Sequence, residues 1–93
     1  MNPIADEFAI RNLAATYTDA INRRSAEEAA AVYAADGVAS LDGGREVPGN
    51  KMLKNFQNVL KNLPFVFQMT HSGIVEVDGD TAKARWWLSE VKR

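Results

Sequence analysis

One stretch constrains this chain more than any other: Met69-Thr-His-Ser-Gly-Ile-Val-Glu-Val-Asp-Gly-Asp-Thr-Ala-Lys-Ala-Arg-Trp-Trp-Leu88. Two strand-forming runs flank Asp78-Gly79, which reads as a two-residue hairpin turn between Val77 and Asp80. The first strand is predicted over Phe65–Val77 and the return strand over Thr81–Val91. Period-two alternation puts Phe65, Phe67, Met69 and His71 on one face of the first strand. Ser72-Gly73 reads as a bulge that shifts the face beyond it. On the return strand, Ala82, Ala84, Trp86 and Leu88 share one face, and Thr81, Lys83, Arg85, Trp87 and Ser89 the other. With Asp78-Gly79 at the tip, Val75 is expected near Ala82 and His71 near Trp86. A tryptophan on each face predicts that both faces are at least partly covered.

Helices precede the hairpin. The first is predicted from Pro3 to Asn22, with Asn2 as its cap and Pro3 at its first position. Ile10, Leu13, Ala14, Tyr17 and Ile21 form its apolar stripe. The second is predicted from Ala26 to Ala35, with Ser25 and Glu28 as a capping box and Asp36-Gly37 as its end. Val38–Leu41 reads as a short strand, Asp42-Gly43-Gly44 as a turn, and Arg45–Val47 as a returning strand stopped by Pro48-Gly49. A third helix follows with Asn50 as cap, carrying Leu53, Phe56, Leu60 and Leu63 at three- and four-residue steps until Pro64.

The composition narrows the function classes. Ninety-three residues make one small domain, without cysteine to staple it. The net charge of −1 and the scattered basic residues argue against nucleic acid as a partner. No apolar run is long enough to cross a bilayer, which argues against a membrane. Met1-Asn-Pro-Ile-Ala-Asp-Glu7 lacks the basic and apolar regions of a secretory signal, so a cytoplasmic location is the expectation. One histidine and no cysteine predict no metal site, and neither a dinucleotide fingerprint nor a phosphate loop is present; no cofactor is expected.

Taken in order, the motifs Ile10-Arg-Asn-Leu13-Ala-Ala-Thr-Tyr17, Asn22, Val32-Tyr33-Ala-Ala-Asp36-Gly37, Pro48-Gly49, Thr70-His71 and Val77-Asp78-Gly79-Asp80-Thr81-Ala82 resemble the SnoaL-like branch of the nuclear-transport-factor-2-like superfamily. The resemblance runs from about residue 8 to 90. It implies an α+β fold in which three N-terminal helices pack in a strongly curved, mostly antiparallel sheet. The sheet forms a cone or half-barrel whose open end holds an apolar pocket. Relatives include scytalone-dehydratase-like, limonene-epoxide-hydrolase-like and steroid-isomerase-like enzymes as well as binding and interaction modules. Relatives also run longer. Read as one domain over residues 1–93, the chain is expected to lack the last one or two family strands, or to have them supplied by a neighbouring chain.

Within that resemblance His71 occupies the position of an acid/base in the dehydratase-like members, and histidine titrates in the range that suits proton transfer near neutral pH. Tyr17 is placed to polarise a ligand oxygen, as a tyrosine does in the steroid-isomerase branch. That branch also expects an acid after Asp36-Gly37, where this chain carries Leu41, with Asp42 beside it on the opposite face. Asn22 stands where the dehydratase branch carries aspartate, and asparagine cannot act as a base. Trp86, Met69, Phe67, Leu13, Asn22 and Phe56 are the expected lining of a site for a small apolar molecule. Trp87 and Arg85 are expected at the outer sheet face in a homodimer interface, with Arg85 stacking on Trp87 or pairing with Glu76. The bland alternatives are a core tyrosine, a strand histidine held by hydrogen bonding, and tryptophan used for packing. Three functions stay open: a cofactor-independent isomerase, dehydratase or epoxide hydrolase; a ligand-binding domain without chemistry; and an interaction module.

Overall fold

The computed structural model describes residues 2–93. The architecture is α+β, with helices first and a long antiparallel hairpin last. Helix α1 spans Pro3–Asn22, as the start and stop signals predict. Its cap is Asn2, whose Oδ1 accepts from the Ile4 and Ala5 N–H groups at 3.0 and 3.2 Å. Helix α2, Ala26–Ala30, is shorter than predicted. Beyond it the chain tightens into i→i+3 bonds, with Val32 N–H donating to Ala29 and Tyr33 N–H to Ala30. The alanine run favours continuing the helix. Tertiary pairing wins instead: Gly49 N–H donates to the Gly37 carbonyl at 2.8 Å, and Gly49 lies so close to the Ala34 carbonyl that a Cβ would overlap it. Only half of the capping box forms. Ser25 Oγ accepts from Glu28 N–H, while the Glu28 carboxylate turns to Arg23 at 2.7 Å.

Strands β1 (Val38–Ser40) and β2 (Glu46–Pro48) pair antiparallel around Asp42–Gly44. A 3-10 turn over Gly49–Lys51 then leads into helix α3, Met52–Asn62, so Asn50 lies in the turn and does not cap the helix. At the other end of α3, the Arg24 guanidinium donates to the Leu60 and Leu63 carbonyls, two of the acceptors a helix terminus leaves open.

Strands β3 (Val66–Asp78) and β4 (Thr81–Lys92) form the long hairpin, a second two-stranded sheet. Its turn sits one residue later than predicted, at Gly79-Asp80. Gly79 at φ +59° takes the first central position, which requires glycine in such turns, and Asp78 closes the ladder against Thr81. Val75 therefore pairs with Ala84 rather than Ala82. The predicted bulge is present between Thr70 and Gly73: Thr70 faces Leu88 and Gly73 faces Trp86, leaving His71 and Ser72 opposite Trp87.

The core gathers Ala20 and Ile21 of α1, Ala29 of α2, Ala39 and Val47 of the short sheet, Met52, Phe56 and Leu60 of α3, and Val66 of β3. Burying a side chain such as Phe56 or Leu60 stabilises the fold by roughly 1.5–3 kcal/mol. Small residues in α1 and α2 (Ala20, Ala29) let the helices approach closely. Helix α1 then lies along β3, which brings Tyr17, Thr18 and Asn22 over one face of the hairpin.

Candidate functional site

The face of β3 that α1 covers carries Val66, Gln68 and Thr70. Three polar contacts dock the helix there. Thr18 and Thr70 hydroxyls hydrogen-bond, Arg11 donates to the Gly73 carbonyl at 3.2 Å, and Asn22 grips the Gln68 backbone. The Asn22 amide acts as a substitute strand neighbour: Nδ2 donates to the Gln68 carbonyl at 2.8 Å, and Oδ1 accepts from the Gln68 N–H at 2.7 Å.

This grip fixes the side chain of Gln68, which is only 6% exposed. Its Nε2 donates to Glu90 Oε2 at 2.5 Å, directly across the hairpin. That bond sets the amide orientation, because the reverse would put two acceptors together. Gln68 Oε1 is consequently turned away, and it is buried with no hydrogen-bond partner among the described residues. The other Glu90 oxygen lies 3.3 Å from Lys92 Nζ.

Tyr17 completes the cluster. Its ring stands 5.9 Å from that of Phe56, which in turn lies 6.0 Å from Tyr33. Burial raises the Tyr17 hydroxyl above its ordinary range; the Gln68 amide lies close enough to oppose that rise, without a well-formed bond between them, and the Glu90 charge reinforces it. Tyr17 is thus held as a neutral phenol, able to donate. Leu13 lies one turn earlier on the same face of α1, and Leu88 and Trp86 precede Glu90 on the same face of β4. The Trp86 indole rests against Gly73, where a Cβ would overlap it.

Several expected neighbours are separated by this geometry. His71 does not approach Trp86 or Tyr17. The bulge leaves it on the opposite face, with Nε2 2.7 Å from Ser89 Oγ. Phe67 and Met69 share that outer face and are 46% and 48% exposed, so they do not wall one site together with Trp86. Phe56 is buried behind Tyr17 and supports it rather than presenting a surface. Leu13 is half exposed, beside Tyr17 in helical register. Trp87 does lie on the outer face, 70% exposed. Arg85 is opposite Ile74, and it is Lys83 that faces Glu76. Gln68 and Glu90 were absent from the predicted lining. Counting back from the predicted turn pairs Gln68 with Ser89, so only the shifted turn together with the bulge brings it opposite Glu90, and a glutamine and a glutamate on strands give little chemical signal of their own.

Two open grooves mark the surface elsewhere. One runs along Ile74, Glu76, Lys83, Ala84 and Arg85 near the hairpin tip; the other lies between α3 (Asn55, Asn58, Asn62), Arg45 and Lys92. Neither includes His71, Tyr17 or Trp86. No helix among the described residues is long and apolar enough to cross a membrane.

A family model described as SnoaL-like domain matches residues 2–92. No curated protein matches the chain. Two crystal structures from Novosphingobium aromaticivorans are similar. One, provisionally named an aromatic ring hydroxylase, is 25% identical with a TM-score of 0.86, covering 99% of this chain and 68% of its own. The other, provisionally named a scytalone dehydratase, is 15% identical with a TM-score of 0.84, covering 97% of this chain and 62% of its own. The chain thus spans about two thirds of the length of these neighbours.

Proposed function

Because the chain belongs to the SnoaL-like domain family, we propose that it binds a small, largely apolar molecule between α1 and the α1-facing side of the β3–β4 hairpin. The supporting observation is the buried, unpartnered Gln68 Oε1 beside a tyrosine held neutral by burial. Leaving such an acceptor unpaired costs about 1–3 kcal/mol, which a bound polar group recovers. Leu13, Trp86 and Leu88 supply apolar surface on either side of the polar cluster.

The enzymatic form of this reading is a cofactor-independent dehydratase or isomerase. Tyr17, protonated, hydrogen-bonds an oxygen of the substrate, while the Glu90 carboxylate takes a proton from the carbon next to the one bearing that oxygen. In dehydration the C–O electron pair leaves with the oxygen, which takes the Tyr17 proton and departs as water, the two groups being reset through solvent; in isomerisation Glu90 returns its proton to another carbon of the substrate. Polarisation by Tyr17 follows the expectation drawn from sequence; the acid/base role moves from His71 to Glu90, because His71 bonds to Ser89 on the other face. The binding-only form needs the same residues without the proton transfer. Calorimetric titration with 2-naphthol tests the shared claim. Leu88→Asp on the α1-facing side is expected to abolish binding, and Trp87→Asp on the outer side to leave it intact. The reverse pattern sinks the proposal.

A second reading concerns assembly. The outer face exposes Phe67, Met69, Ile74, Trp87 and Val91 together, more apolar surface than a soluble monomer usually leaves open. A homodimer through this face covers them, with Trp87 as its anchor and Arg85 at its edge.

A further inference from the structure

The hydrogen-bonding inventory of the Tyr17–Gln68–Glu90 cluster restricts what chemistry a ligand can present to it. Gln68 Oε1 only accepts, and its orientation is locked from two directions: Asn22 holds the backbone, and Glu90 accepts a hydrogen bond from Nε2. Glu90 also only accepts when ionised, and its two oxygens already receive Gln68 Nε2 and Lys92 Nζ. Tyr17, a neutral phenol, can donate, as can the second Nε2 proton of Gln68. Glu90 keeps spare lone pairs, but Gln68 Oε1 is the buried acceptor that has no partner at all among the described residues.

We infer that the ligand enters with a hydroxyl, its O–H donating to Gln68 Oε1 and its oxygen accepting from Tyr17. This rests on the pocket reading above and sharpens it to a class: neutral alcohols, phenols or enols on an apolar body. A ketone or ether oxygen can accept from Tyr17 but leaves Gln68 Oε1 unpaired. A carboxylate or phosphate adds a negative charge beside Glu90 and has no proton to give. A water molecule satisfies the same acceptor, and a ligand hydroxyl replaces it group for group, whereas a carbonyl cannot. Sites built to pair with a hydroxyl reject analogues lacking it far more strongly than apolar pockets reject a change of size.

The test uses two probes of nearly the same shape, 2-naphthol and 2-methoxynaphthalene, titrated into the intact chain by calorimetry. The expected result is binding of the naphthol at least about ten-fold tighter than the ether, with Gln68→Met weakening the naphthol to the level of the ether and leaving the ether unchanged. Equal binding of the two probes to the unaltered protein overturns the hydroxyl assignment while the pocket reading stands. Binding of neither overturns both. A preference that survives in folded Gln68→Met overturns the role given to Gln68. Should Gln68→Met fail to fold, the side-chain amide resonances of Gln68 in the unaltered protein decide: they shift with naphthol and not with the ether, and equal shifts overturn the assignment.

Discussion

Asn22 holds Gln68 as a neighbouring strand would, accepting from its N–H at 2.7 Å and donating to its carbonyl at 2.8 Å. The last residue of α1 thereby fixes the position on β3 from which the polar cluster is built. Asn22→Ala is expected to lower stability by about 2–3 kcal/mol, since it leaves two part-buried backbone groups unpaired. Urea denaturation measures this; a loss within experimental error would show that the contact contributes nothing net.

Gly73 gives Trp86 its seat. A side chain at position 73 overlaps the indole, so Gly73→Val is expected to push Trp86 toward solvent and to cost about 1–3 kcal/mol. In a Trp87→Phe background, Trp86 is the only tryptophan. Its emission should then shift to longer wavelength on the Gly73 substitution. An unchanged spectrum with unchanged stability contradicts the packing described.

Alkaline titration should reveal both tyrosines as late-ionising. Burial raises Tyr17 and Tyr33 above the ordinary value of 10.0; the Gln68 amide partly offsets this at Tyr17, and a nearby negative charge adds to each rise, Glu90 for Tyr17 and ionised Tyr17 for Tyr33. A raised pKa in the folded state means the folded chain holds its proton more tightly than the unfolded chain. The stability this provides is complete below pH 10 and is lost as pH rises from there through the folded pKa. Tyr17→Phe should therefore flatten the decline in stability above pH 10. A decline of the same steepness in the variant counts against a buried Tyr17.

Trp87→Glu should leave the fold of the single chain intact, because the residue is 70% exposed there. If the outer face joins two copies, sedimentation will show a dimer for the unaltered chain and a monomer for the variant. A monomer in both cases removes the homodimer reading.

How far the sequence reveals this arrangement depends on where local signals decide the outcome. Helix α1 and the hairpin are legible because Asn2-Pro3 and Asp78-Gly79-Asp80 carry strong backbone preferences. The end of α2 is not, since alanine favours continuing the helix and only the remote approach of Gly49 to Ala34 and Gly37 stops it. That Tyr17 lies on the packed side of α1 is legible from the helical period. The face of β3 was misleading for a physical reason. Phe65, Phe67, Met69 and His71 look like the buried side, yet α1 covers Val66, Gln68 and Thr70, and it does so largely through hydrogen bonds. Hydropathy reports which face seeks cover, not which element supplies it.

Binding of a small molecule on the α1-facing side of the hairpin can be read residue by residue from backbone and side-chain NMR during titration with 2-naphthol. Shifts are expected at the Trp86 indole N–H, the Gln68 side-chain amide, Tyr17 and Leu88. Shifts confined to Phe67, Met69, His71 and Trp87 would place the ligand on the outer face and contradict binding on the α1-facing side.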